Sequence, residues 1–158
     1  MKIKQLIIAL LLLVPTLLVA QPKNSDHKPA APRTANALVE QYSSRKDVEY
    51  VKANKAILWM VKASAPKGSM EGVKELEILN FKGGDKTQAY REFRRDAEAL
   101  FTSLRAECLS KEQTNKGLTE VYAERKRPIT QYMMFVHDDK GDIIFMLMQG
   151  EKLPEPKK

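Results

Sequence analysis

Residues 129–149 read ITQYMMFVHDDKGDIIFMLMQ, and the arrangement of the whole chain hangs on how they pair. Two apolar runs flank Asp138, Asp139, Lys140 and Gly141, where Gly supplies the positive φ that a short hairpin loop needs. The runs, residues 129–137 and 142–149, are therefore expected to be antiparallel strands. Both are apolar on both sides. Tyr132, Met134 and Val136 alternate with Met133 and Phe135, and Ile144, Met146 and Met148 alternate with Ile143, Phe145 and Leu147. A sheet covered by helices on one side should show polar residues on the other. Either the remaining chain folds over the second face, or that face is an interface. With too few further elements for a third layer, the expectation is an interface through Met133, Phe135, Ile143, Phe145 and Leu147, with self-association into a homodimer as its simplest form.

Upstream, residues 118–125 read as a third strand. Before it, Tyr90, Phe93, Ala97, Leu100, Phe101, Leu104 and Cys108 recur at three and four residues, which predicts a long helix over residues 87–109. Its other face, Arg91, Arg94, Arg95, Glu98 and Arg105, is expected in solvent. The run ELEILNF at residues 75–81 alternates as a strand, with Leu76 and Ile78 on one side and Leu79 and Phe81 on the other. A short helix over residues 55–63 is capped by Asn54 and carries Ile57, Met60 and Val61 as its stripe, with Trp59 at the edge. Residues 48–52 (VEYVK) give a strand, and Asn36 caps a first helix bearing Leu38, Val39 and Tyr42. This order predicts an α+β domain of two layers: about five mainly antiparallel strands with two to three helices on one face.

At 158 residues the chain is one domain's worth, and 43% hydrophobic residues are enough for a core. One Cys and two His exclude disulfide frameworks and Cys/His zinc clusters. Met1 to Lys4 give a basic start, and an apolar run ending at Ala20 precedes the polar Gln21, Pro22 and Lys23, which reads as a secretory signal peptide over residues 1–20 cut after Ala20. After cleavage no membrane span is expected, and since no Cys follows the apolar run, neither is a lipid anchor. Residues 21–34, with three prolines, read as a flexible tether, residues 35–153 as the domain and residues 154–158 as a tail. The formal charge of +7 loses Lys2 and Lys4 with the leader and falls to +5, most of it at the two ends. The folded body is thus nearly neutral and nucleic acid is not an expected partner.

Leu38, Tyr42, Val48, Tyr50, Val51 and Lys55, the LEIL stretch at residues 76–79, the long amphipathic helix and the final hairpin ending in Gly150 together resemble the family called domain of unknown function 4252. The resemblance covers nearly the whole mature chain. It implies a small exported protein of the Gram-negative envelope, periplasmic or secreted, and brings no functional residues with it. Many members carry a lipobox Cys that this chain lacks.

Candidate chemical motifs each have a plainer reading. Lys82 to Thr87 sits between a strand and a helix but lacks the glycine spacing of a phosphate-binding loop, so Asp85 or Thr87 is expected to cap the helix. Nothing brings Cys108 to His137 as a nucleophilic pair. Asp138, Asp139 and Asp142 do not follow the spacing of a calcium loop and read as turn formers. Glu75 and Glu77 share a strand face. Met133, Met134, Met146 and Met148 crowd one hairpin, where thioethers select Cu(I), but methionines commonly fill core space. No catalytic, cofactor-binding or metal-ligating residue is assigned. Arg125, Lys126 and Arg127, before Pro128, are the candidate contacts for an anionic surface. The functional expectation is an exported module with a non-enzymatic role, binding itself or an envelope protein. The alternatives are an envelope hydrolase with an unrecognised site and a carrier of a small apolar ligand.

Overall fold

The computed structural model describes residues 31–155 except 66, 69 and 116, so the leader and most of the tether lie outside the described residues, as do the last three residues of the tail. Three helices and six strands follow in the order α1 (Ala35–Ser43), β1 (Glu49–Lys52), α2 (Lys55–Ser64), β2 (Val73–Phe81), α3 (Gln88–Ser103), β3 (Ala106–Thr114), β4 (Gly117–Glu124), β5 (Gln131–Asp138) and β6 (Ile143–Gly150). All strands join one antiparallel sheet in the order β1-β2-β6-β5-β4-β3. The domain is α+β with a mainly antiparallel sheet and two helices on one face, in line with the reading from sequence.

The helix starts follow from their caps. Asn54 accepts from the Ile57 amide and Thr87 from the Tyr90 amide, each satisfying a donor that the first turn leaves unpaired. For α1 the cap is Thr34, which accepts from the Ala37 amide, and Asn36 lies inside the helix, where its side chain exchanges hydrogen bonds of 2.9 and 2.8 Å with Gln149. The helix predicted through residue 109 stops at Ser103. Thr102 and Ser103 turn their hydroxyls onto the Glu98 and Leu100 carbonyls, Arg105 takes a positive φ of 51°, and the chain leaves as the sixth strand, β3. Cys108, expected on the buried helix stripe, is therefore an exposed residue of an edge strand.

The double apolarity of the hairpin has a direct cause: both faces are covered. Under α1 and α3 lie Leu79, Phe81, Met133, Phe135, Ile143, Phe145 and Leu147, packed with Leu38, Tyr42, Phe93 and Leu100. On the opposite face α2 contributes Leu58 and Val61, and Met70, Ile129 and Leu153 from irregular segments complete a cover over Leu76, Ile78, Val121, Tyr132, Met134, Ile144 and Met146. The C-terminal segment is strapped down by a 2.8 Å hydrogen bond from the Leu153 amide to the Ile129 carbonyl and by the Tyr132 hydroxyl donating to the Pro154 carbonyl. A second cover needs less chain than a full third layer of elements. Ten residues of helix and short irregular segments suffice.

Candidate interaction surfaces

The expected interface is interior. Met133, Phe135, Ile143, Phe145 and Leu147 are at most 2% exposed, because all five point toward α1 and α3. They offer nothing to a partner, and self-association through them loses its basis. The basic turn is also largely occupied. Arg127 pairs with Glu107 at 3.1 Å and Glu155 at 2.8 Å and donates to the carbonyls of Glu124, Arg125 and Lys126, while Arg125 lies 3.5 Å from Glu107. Two of the three bases are thus spent on neighbours.

The turn and methionine motifs fall where their plainer readings put them, and Cys108 and His137 stay apart. Asp138 accepts from the amides of Lys140 and Asp142 and so builds the hairpin turn, while Asp142 accepts from the Gly83 amide and ties that turn to the loop after β2. Met134 and Met146 are directly paired and packed beneath α2, whereas Met133 faces α3. Cys108 stands opposite Tyr122 and His137 opposite Leu118, four positions apart on β4, or about 13 Å at the rise of an extended strand. Among the described residues no group of three or more His, Cys, Asp or Glu side chains is placed to hold a metal ion. The space between α3 and the sheet is filled by rings, with Phe93 4.8 Å from Phe81 and 4.9 Å from Phe145.

Two carboxylates are buried: Glu120, which did not stand out from the sequence, and Glu77, which with Glu75 read as a strand-face pair in solvent. Glu120, 4% exposed, receives Arg94 and Lys111, each at 3.0 Å, and Arg94 also holds Glu98 at 2.8 Å and lies over the Phe135 ring. Burial pushes the Glu120 carboxyl up, but the hydrogen bonds from Lys111 and Arg94 outweigh it and keep the group below its ordinary range. Arg94 was expected in solvent; instead it ties α3 to β4 while Lys111 ties β3 to the same carboxylate. Glu77 is the counterpart near the other edge, accepting from Lys52 at 2.8 Å and Tyr50 at 3.2 Å. Burial and that carboxylate push the Tyr50 hydroxyl up to about 12. Both clusters close on themselves.

The long edge strand β3 is guarded. A bulge interrupts its register between Cys108 and Ser110, and Glu107, Lys111 and Glu112 line it, devices that discourage pairing with another chain.

What stands open is the outer side of α2. Trp59 is 70% exposed and Met60 38%, whereas every phenylalanine is buried. Lys55, Trp59 and Lys62 recur at four and three residues and share one stripe. Residues 51–70 contain Lys52, Lys55, Lys62 and Lys67 and not one acidic residue. Lys52 serves Glu77, but Lys55, Lys62 and Lys67 have no acidic partner among the described residues. The sequence carried this signal in the lysines without acids around a lone tryptophan, but the helix stripe was assigned to Met60 rather than to Leu58, which placed Trp59 at an edge instead of outside.

No family model, no curated protein and no solved structure matches the chain.

Proposed function

We propose that this is an exported module of the bacterial envelope with a non-enzymatic interaction role, and that its contact surface is the outer side of α2 rather than the hairpin. The observation that carries the reading is the exposure of the only tryptophan, at 70%, among lysines that no described acidic residue neutralises. A large ring left in water costs the folded chain hydrophobic stabilisation, and a partner recovers it on binding. Export is supported by the basic start and apolar run at residues 1–20, and an envelope location by the resemblance of the hydrophobic pattern.

A photo-cross-linking side chain at position 59 tests this in washed bacterial envelopes, with the same group at the exposed position 95 on α3 as the control. The reading expects adducts at 59 well above those at 95, and equal yields at both positions would overturn it.

A further inference from the structure

We propose that the partner of the α2 face is an anionic lipid surface, on which the helix lies flat with Trp59 and Met60 among the headgroups and Lys55, Lys62 and Lys67 over the lipid phosphates; this rests on the reading of that face as the contact surface. Two observations carry it. The first is the stripe itself: Lys55, Trp59 and Lys62 share the outward line while Leu58 and Val61 face the core, so the ring and the charges are presented together. The second is the charge count: residues 51–70 hold no acid, Lys52 is taken by Glu77, and Lys55, Lys62 and Lys67 are left without an acidic partner among the described residues.

An acidic protein would satisfy the lysines alone. A bilayer satisfies the lysines and the ring at once, because its negative charge lies in a plane directly over an apolar interior, the level at which tryptophan rings settle.

Trp59 is the chain's single tryptophan, so its emission reports on this face alone. The full chain is titrated with vesicles rich in phosphatidylglycerol, with pure phosphatidylcholine vesicles and with polyglutamate. The proposal expects a blue shift and loss of iodide quenching with the first and neither with the other two. Neutralising two contacts in the Lys55→Gln, Lys62→Gln double variant should raise the lipid concentration at half-shift about thirtyfold, at the usual worth of a lysine near such a surface. Its urea unfolding should match that of the parent chain, because both side chains point outward. An equal shift on phosphatidylcholine, or an unaltered half-shift in the double variant, overturns the lipid assignment. A shift with polyglutamate alone does the same and points to an acidic protein instead. If vesicles give no shift while position 59 still cross-links in envelopes, the lipid assignment falls and the contact-surface reading survives; if neither responds, both fall.

Discussion

The two faces of the sheet are built from alternate residues of the same strands, yet they are closed in different ways. On one, the sixteen residues of α3 bring six buried side chains onto the sheet, and all five phenylalanines gather there in edge-to-face and tilted contacts such as the 5.1 Å pair of Phe135 and Phe145. On the other, α2 commits two buried side chains over an aliphatic and thioether floor that includes Met134 and Met146, and irregular chain, with Met70 among it, supplies the rest. Interlocked rings fix their neighbours in place, whereas methionine accommodates changes in its surroundings. The difference teaches that one helix is spent on holding the sheet and the other keeps most of its surface for something outside.

The comparison breaks most sharply at the hairpin. Phe145→Glu would place an unpaired carboxylate in the aromatic layer, and a loss of at least about 4 kcal/mol is expected, enough to abolish the unfolding transition seen by circular dichroism. A folded Phe145→Glu chain with weakened association would instead restore the interface reading of that face. Next, truncation on the two sides should differ: Phe93→Ala is expected to cost about 3–5 kcal/mol in urea unfolding and Leu58→Ala about 2, the low end for a side chain that its surroundings can partly collapse upon. Equal costs would mean that the lighter cover is as firmly packed as the heavier.

Much of this contrast was legible in the sequence. The hairpin, the alternation of Leu76 and Ile78 against Leu79 and Phe81, and the caps at Asn54 and Thr87 all appear as read, because each depends on neighbours within a few residues. Two features did not. The end of α3 carries neither Gly nor Pro, and Arg105 takes the left-handed conformation that glycine usually signals, so the helical spacing of Leu104 and Cys108 ran on unpunctuated into a strand. The second cover is made by residues far apart, Leu58, Met70, Ile129 and Leu153, whose meeting is a product of topology that no local period encodes. The exposed face of α2 was missed for the same reason: which side of a short helix is buried depends on where the sheet lies.

Smaller effects sharpen the picture. Arg94→Met leaves Glu120 with Lys111 and the more distant Tyr122 hydroxyl and should lose roughly 1–3 kcal/mol, while Thr87→Ala, which removes the α3 cap, should lose about 1. Acid should weaken the aromatic side in two steps. Burial lowers the His137 imidazole from its ordinary 6.5, so the folded state takes up the proton less readily than the unfolded chain. Its contribution is complete above pH 6.5 and drains away as the pH falls below that value. The carboxyls of Glu120 and Glu92, held below their ordinary 4.5, add a second loss under pH 4.5. Denaturation midpoints measured from pH 8 down to about pH 2 should show both steps, and His137→Gln should erase the first. Least of all, Trp59→Ala should leave stability within about 0.5 kcal/mol of the parent, since the ring it removes stands in water. A larger loss would show that Trp59 holds the cover down and is not reserved for contact.

The position of β6 has a consequence for the order in which the molecule comes into being. It lies between β2 and β5, so the last of these six strands to be made is the one that joins the first part of the sheet to the second. Until residues 143–150 are available, β1 and β2 can pair only with each other, and two strands without further support are marginal in water. In a chain of this design the sheet stays in two pieces through its first five strands, and it closes only once residues 143–150 have been made.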